Sequence, residues 1–219
     1  MPSLYSYCIP FDDGAAPNPF WGVCTLTICK PAVRRTASCG DWIIGLGSKD
    51  TPTTGSDFSG KVVYIMKITD KKSLLEYDIY CRKYLPRKIP DWNSKETILQ
   101  VGDCIYDYSH SNSQPTQRNG VHKAGNISTD LSGQFALLSS HFYYFGRNPI
   151  DLPQDLHPII LQSQGHRRQK NDPYFKAFIE WENTLKYKPC SVISLPEMWG
   201  DNHKKPSARS RCSDDDNEV

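Results

Sequence analysis

Proline and glycine are the residues that most constrain how this chain can fold, because they recur along its whole length. The sequence has 219 residues, of which 16 are prolines and 14 are glycines. Proline fixes φ and lacks a backbone donor, and glycine favours turns, so this spread predicts many short elements rather than one flexible linker. The length suits one domain with its own core. We therefore expect a single domain over residues 1–200, followed by a polar, acidic and disordered tail over 201–219.

Between these breaks, the hydrophobic pattern predicts an α+β fold. Two main helices are expected, one beginning with a capping box at 73–76 and ending at 85, the other over 174–185 with Asp172 as its N-cap. Strands are expected over 4–10, 20–29, 41–47, 61–68 and 135–145. Together they predict a mixed or antiparallel, strongly bent sheet or partial barrel that is flanked by the two helices.

Two segments between these elements bear on function. Residues 32–38 are predicted to form a single helical turn that carries Arg34 and Arg35 on its surface. Residues 91–131 are polar and rich in turns, so they are expected to form a long ordered loop over a site, or a mobile lid.

Eight cysteines are present, at positions 8, 24, 29, 39, 81, 104, 190 and 212. Most lie in apolar, strand-like runs, no signal peptide precedes them, and no apolar run reaches the ~18 residues of a membrane span. These features predict reduced, buried thiols in a cytoplasmic protein. No C-x-x-C pair occurs, so we predict no metal site and assign no cofactor. Lys30 and Arg34 would favour a thiolate at Cys29, but an inert buried thiol is the favoured interpretation of that residue.

The loop over residues 12–22 combines carboxylates, an amide and aromatic rings. Asp12 and Asp13 suit general acid–base catalysis or metal binding, because a raised pKa beside a charged neighbour supplies both roles. Adjacent aspartates also form turns, and that interpretation is favoured slightly. Asp103 is interpreted either as a turn residue or as a third acid that faces this loop.

Basic residues follow the loop and lie close to two tryptophans. Lys30, Arg34 and Arg35 match phosphate groups, and Trp21 and Trp42 match the face of a base. Because a tryptophan in a strand is more often a core residue, that alternative stays open for both rings. Further nucleotide contacts are assigned to neighbouring positions of the same segment and to two residues later in the chain, namely Asn18, Phe20, Asp41, Gly47, Ser48, Lys49, Tyr106 and Arg167.

Among the histidines, His166 is the predicted catalytic residue. It lies beside Arg167 in a polar, glycine-containing segment before the second helix, where an imidazole can reach a ligand. His141 lies in an apolar strand and is interpreted as a core residue. His110 and His122 lie in the long loop and are interpreted as exposed.

Four stretches together resemble a known family. They are YCIPFDDGAAPNPFWGVCTLTICKPAVRRTASCGDWIIGLGSK, KVVYIMKIT, GDCIYDY and HFYYFG. Over residues 4–181 the pattern resembles the nucleotide modification-associated domain families of bacteria and phages, most of all the type 2 member. Members accompany DNA base-modification systems and mobile elements, and are predicted to make, process or recognise modified bases. The resemblance implies that residues 12–49 face a nucleotide, with Tyr106 and His166 as the far walls of the site.

A looser likeness to PUA and EVE-like barrels, which bind modified nucleobases, implies a barrel-like sheet. The leading hypothesis is a protein that handles a nucleotide or nucleic-acid base, DNA rather than RNA, with Asp12, Asp13, Asp103 and His166 as candidates for proton transfer. A non-catalytic reader of a modified base is the second hypothesis. A defence or counter-defence protein that binds a free nucleotide signal is the third. The net charge of +2 does not decide among them.

Overall fold

The computed structural model describes residues 1–49, 55–161 and 165–199. The tail, which composition predicts to be disordered, lies outside these ranges. The strands are β1 Leu4–Ile9, β2 Cys24–Leu26, β3 Trp42–Gly47, β4 Lys61–Lys67, β5 Asp70–Ser73, β6 Tyr106–Asp107, β7 Thr116–Gln117, β8 Phe135–Ser139, β9 His141–Tyr144, β10 Ile150–Asp151 and β11 Ser191–Val192. The α-helices are α1 Pro31–Thr36, α2 Leu74–Tyr84, α3 Thr97–Gln100, α4 Ile127–Ser132 and α5 Phe175–Glu182.

The strands form one large mixed sheet and two small antiparallel ones. The large sheet has the order β1-β3-β4-β9-β11, and β10 pairs with β4. Its outer pairs, β1 with β3 and β9 with β11, are parallel, while the remaining pairs are antiparallel. A three-stranded sheet has the order β2-β8-β5, and β6 pairs with β7. This arrangement confirms the predicted α+β class with a mixed sheet and flanking helices; among the described residues the sheets do not close into a barrel.

The elements with strong local signals form where the sequence predicts them. Ser73 and Glu76 exchange both bonds of a capping box at the start of α2, with N···O distances of 2.7 and 3.2 Å. Strands β3 and β4 pair antiparallel on either side of the predicted polar tip. Helix α1 also forms near its predicted position, with Pro31 at its first turn.

Three predicted elements are wrong in extent. The expected strand over 20–29 shrinks to β2, because Trp21, Gly22 and Cys29 have positive φ angles that an extended strand excludes. The expected strand over 135–145 is two strands, and the chain moves between sheets at Ser140. Before α5 the chain forms a 3₁₀ helix, Gln169–Tyr174, so Asp172 lies inside it rather than at an N-cap.

The core packs against both faces of the large sheet. One face buries a tyrosine row at a single register across four strands, where Tyr7 and Tyr64 flank Gly45 and Tyr64 pairs with Tyr144. A Cβ on Gly45 would approach the Tyr64 ring to 2.3 Å, so glycine is what lets Tyr64 cross β3 and bond the Tyr7 hydroxyl at 2.7 Å. The opposite face packs Trp42 edge-on against Phe178 of α5. That position makes Trp42 a core residue.

Candidate active site

A strained turn between β2 and α1 presents the thiol of Cys29. Cys29 has φ 58° and Lys30 has φ 42°. Two consecutive non-glycine residues in the left-handed region are unfavourable, and such strain, on the order of 1–3 kcal/mol per residue, concentrates at functional sites. Pro31 then begins α1 directly. The chain therefore follows the strand–turn–helix path that exposes a nucleophile at a sharp turn in other enzymes.

Cys29, His122 and Asp130 form a hydrogen-bonded line. The Cys29 Sγ lies 3.3 Å from His122 Nε2, and His122 Nδ1 lies 2.5 Å from Asp130 Oδ2. Cys29 is half-buried, whereas the Asp130 carboxylate is fully buried beneath the imidazole. A nucleophile bonded to a base, and that base held by a buried carboxylate, is the arrangement that activates cysteine and serine nucleophiles.

The surrounding structure fixes each member of this line. Asp130 also accepts hydrogen bonds from the Cys29 backbone N–H at 3.0 Å and the Tyr106 hydroxyl at 2.8 Å. Arg34 donates to the backbone carbonyls of Cys29 and Asp130 at 2.7 and 2.6 Å, so its guanidinium ties the two segments together. A Cβ on Gly133 would approach the Arg34 guanidinium carbon to 2.2 Å, and glycine therefore makes room for this clamp.

The electrostatics of His122 favour its charged form. Burial, the largest influence, lowers the pKa of His122, but the negative charge of Cys29 and the hydrogen bonds to Asp130 and Cys29 outweigh it and raise the pKa to about 10. These contacts therefore favour the protonated imidazole. An imidazolium 3.3 Å from the sulfur favours the thiolate of Cys29, the reactive form of the residue.

The predicted acid Asp103 belongs to a different, closed network. Its carboxylate accepts from the Thr25 hydroxyl at 2.6 Å and the Tyr77 hydroxyl at 2.8 Å. The fully buried Lys88 ammonium lies nearby and donates to the Asn18 side chain at 2.7 Å and to Thr25 at 2.9 Å. This network holds the loop around Asn18 against β2.

Asp12 and Asp13 belong neither to the Cys29–His122–Asp130 line nor to the Asp103 network. Asp12 is buried and accepts from the Tyr144 hydroxyl at 2.5 Å, and burial raises its pKa to about 7. Asp13 accepts from the Ala15 N–H at 2.9 Å, as a turn-forming aspartate does. Its carbonyl accepts from the Trp199 indole at 2.8 Å.

The predicted aromatic contacts separate. Phe20 is buried and stacks on Trp199 with ring centroids 5.3 Å apart. Trp21 is only partly buried, and the Arg87 guanidinium lies 4.8 Å from its ring centroid. Of the predicted stacking residues, Trp21 is thus the one that reaches the surface, while Trp42 lies in the core.

The predicted basic residues also separate. Arg34 is fully buried, so the prediction that it lies on the surface of α1 is wrong: its donors are directed at backbone carbonyls. Arg35 is exposed and bonds the Ser132 carbonyl at 2.9 Å. Lys30 follows the nucleophile, lies 5.0 Å from the Tyr7 ring centroid and donates to the Gly165 carbonyl at 3.3 Å.

The remaining predicted contacts follow the large sheet. Asp41 accepts from the Ser3 and Ser38 N–H groups at 2.7 and 2.8 Å and so fixes the entry to β3. Gly47 ends β3 and bridges to Ser59. After it, Ser48 is half-buried and Lys49 is exposed.

The segment that contains the predicted residues His166 and Arg167 lies next to Lys30. His166 is buried and stacks on Tyr5 with centroids 6.0 Å apart. Arg167 exchanges two backbone hydrogen bonds with Ser6, both at 2.9 Å. Through the Lys30 to Gly165 bond, the early and late basic segments meet at one edge of the fold.

Sequence reasoning missed two of the three residues in the line. His122 is interpreted from the sequence as exposed, but it is 9% exposed; His110 is exposed as expected. Asp130 carries no expectation at all. A cysteine with a histidine and an aspartate elsewhere in the chain is a signal for a catalytic set, although the sequence alone does not say which of them meet.

Two features are absent from the described residues. None of the helices in the described ranges has the length and apolar character that a membrane crossing requires. Among the same residues, no group of three or more histidine, cysteine or acidic side chains is arranged to hold a metal ion.

The chain matches a known protein family. The family model described as nucleotide modification associated domain 2 matches residues 1–202. No curated protein matches the chain, and no solved structure matches it.

Proposed function

The chain belongs to the nucleotide modification associated domain 2 family, and we propose that it is a cysteine-dependent enzyme of nucleotide modification with Cys29 as its nucleophile. The observation that carries this proposal is the line from Cys29 through His122 to the buried Asp130. A reader of modified bases would need an aromatic cage without a convergent acid and histidine. Here Trp42 lies in the core and an acid and a histidine converge on a thiol, which supports an enzyme over a reader.

The proposed reaction is the transfer or hydrolysis of an acyl group through a thioester. The Cys29 thiolate attacks the acyl carbon, so that an S–C bond forms as the bond to the leaving group breaks. His122 gives its proton to the leaving atom. Water or an acceptor then attacks the thioester, returns a proton to His122 and releases the thiolate. Asp130 holds the imidazole in one orientation throughout and stabilises its charge.

The proposed substrate is a nucleotide or a modified base in DNA, and the proposed location is the cytoplasm. Lys30 follows the nucleophile and supplies a positive charge for a phosphate or for the developing oxyanion. Trp21 offers a partly exposed ring for stacking. The Cys29 backbone N–H is not an oxyanion donor in this scheme, because it already donates to Asp130.

The proposal is tested in cells and on the purified protein. Nucleosides from host DNA and RNA are compared by mass spectrometry with the wild-type chain, with Cys29→Ser and with an empty vector. We expect a nucleoside change with the wild type that Cys29→Ser abolishes. Cys39→Ser is the matched control because Cys39 is exposed and lies outside the site.

An identical nucleoside profile in all three strains would contradict the proposal that the protein modifies bases. If the thiol of Cys29 were in addition no more reactive than that of Cys39, the nucleophile itself would be wrong.

A further inference from the structure

The outer face of α2 combines exposed aromatic and basic side chains. Ile79 and Tyr84 are 49% and 58% exposed, which is unusual for large hydrophobic residues in this fold. Tyr80 and Tyr84, one helical turn apart, lie with ring centroids 5.3 Å apart. The exposed Tyr84 ring thus lies beside the Tyr80 ring, which is partly buried against the cluster that contains Leu74 and Cys81.

Cations lie directly beside these rings. The Lys83 ammonium is 4.9 Å from the Tyr84 centroid, and the Lys72 ammonium is 4.9 Å from the Tyr80 centroid. Lys72 pairs with Asp70 at 2.6 Å. Among the described residues, Lys83 makes no ion pair.

Acidic groups near this face are already engaged. The Glu76 carboxylate accepts hydrogen bonds from the Ser73 backbone N–H and hydroxyl, and Asp78 is buried, where it bonds Arg118 at 2.7 Å. Arg82 is drawn to the same Asp78 carboxylate. The outer face of α2 therefore has a positive balance around its aromatic surface.

The combination of a cation and an aromatic ring continues beyond the end of α2. Arg87, in the 3₁₀ turn directly after α2, lies over the ring of Trp21, with its guanidinium 4.8 Å from the centroid. Trp21 packs against the hydrophobic cluster that contains Ile28, the residue before the nucleophile. Arg87 and Trp21 thus add a further pair of a cation and a ring to those on α2.

From this arrangement we propose that the face formed by Tyr80, Lys83, Tyr84, Arg87 and Trp21 binds a single-stranded segment of nucleic acid. Aromatic rings accept unstacked bases of any sequence, and neighbouring cations follow the phosphate backbone. A duplex keeps its bases stacked and offers nothing to these rings. The inference rests on the proposed function and specifies it further: the substrate base is presented within a polymer rather than as a free nucleotide.

Binding of labelled oligothymidylate, measured by fluorescence anisotropy, tests the surface. We expect Tyr84→Ala to weaken binding by about tenfold, since stacking on one base is worth about 1–3 kcal/mol. The double variant Lys83→Glu with Arg87→Glu should lower the slope of log affinity against log salt by about 1.4, because each phosphate contact on a single strand contributes about 0.7.

Two variants on other surfaces are the matched controls. Tyr187→Ala removes a ring that is 40% exposed away from α2, and Lys176→Glu reverses an exposed charge on α5. Both should bind as the wild type does. Equal affinity of Tyr84→Ala and Tyr187→Ala, tighter binding of a duplex than of a single strand, or no binding by the wild type would each overturn the proposal.

The outcome is separable from the nucleophile proposal. Cys29→Ser should bind the oligonucleotide normally, and Tyr84→Ala should keep a reactive Cys29 thiol. If the wild type fails to bind the oligonucleotide but has a reactive Cys29 thiol, only the proposed binding surface is rejected. If it binds the oligonucleotide but its Cys29 thiol is unreactive, only the proposed nucleophile is rejected. Oligodeoxynucleotides and oligoribonucleotides of one sequence, measured side by side, decide which polymer the surface favours.

Discussion

Two buried carboxylates in this protein have similar partners but opposite surroundings. Asp103 and Asp130 each accept a tyrosine hydroxyl at 2.8 Å, and each lies near a cationic side chain, Lys88 for the former and His122 for the latter. The Asp103 network ends in buried threonine, asparagine and backbone atoms. The Asp130 network ends in a half-buried thiol on a strained turn. A polar cluster that closes on itself stabilises a fold, and one that ends at a reactive atom near solvent is a candidate site.

The largest expected effect comes from removing the cation from the buried network around Asp103. Lys88→Met removes an ammonium that donates to several buried acceptors and leaves the Asp103 carboxyl without its cation. We expect a loss of about 3–5 kcal/mol in the free energy of unfolding, measured by urea denaturation. Lys176→Met, at an exposed lysine, should change it by less than about 0.5 kcal/mol. A small effect at Lys88 would mean that the network is not structural.

A third buried carboxyl sharpens the comparison, because it has a tyrosine partner without a cation. Asp12 bonds Tyr144, makes no ion pair among the described residues, and burial raises its pKa from 3.8 to about 7. A carboxyl with a raised folded-state pKa stabilises the fold fully below about pH 4, and this stabilisation is lost as pH rises through about 7.

Urea unfolding across this window tests the assignment. The wild type should lose roughly 2–4 kcal/mol of stability between about pH 4 and pH 7 through this group. Asp12→Asn should flatten that part of the profile, because it keeps an uncharged partner for Tyr144. Parallel profiles for the two proteins would show that Asp12 does not titrate in this range.

The network of Cys29, His122 and Asp130 is tested by the reactivity of the Cys29 thiol. At pH 6 an ordinary thiol with a pKa near 8.5 is almost entirely protonated, whereas a thiolate held by His122 is not. His122→Ala should therefore slow iodoacetamide alkylation of Cys29 by about 100-fold at this pH.

Peptide mapping by mass spectrometry separates Cys29 from the other cysteines, and the exposed Cys39 is an internal reference in the same digest. The rate at Cys39 should be the same in both proteins. Equal alkylation rates at Cys29 in the wild type and in His122→Ala would show that His122 does not activate the thiol. The Asp130 network would then be structural, as the Asp103 network is.

The smallest expected effect is at the hydroxyl that supports Asp130. Tyr106→Phe removes one buried hydrogen bond to the carboxylate while the ring stays in place. We expect a loss of about 1 kcal/mol in stability and a reduction of less than about tenfold in the alkylation rate of Cys29. Tyr80→Phe is the surface control and should alter neither quantity.

Local signals explain which parts of the fold were predictable. The capping box at Ser73 and the alternation of β3 and β4 act between near neighbours, so these elements appear where expected. The move between sheets at Ser140 was missed, because the run from 135 to 145 is apolar except for Ser139, Ser140 and His141, and so short a polar interruption also occurs within single strands.

The site was less predictable because tertiary contacts decide it. Cys29 meets His122 across 93 residues and Asp130 across 101. Spacing along the chain carries no information about such meetings. Arg34 shows the same limit: an arginine on a short helix is normally solvated, but carbonyls from three segments receive its donors. Tyr106, predicted to be a wall of a nucleotide site, donates a hydrogen bond to Asp130, a contact that the sequence did not indicate.

The long sequence separation between Cys29 and its partners His122 and Asp130 also makes the environment of this thiol depend on complete folding. A nascent or misassembled chain has an ordinary cysteine at this position, because the imidazole and the carboxylate join it only when the two halves of the chain dock. If the thiol has the reactivity that we propose, its alkylation rate would therefore report whether the chain has folded.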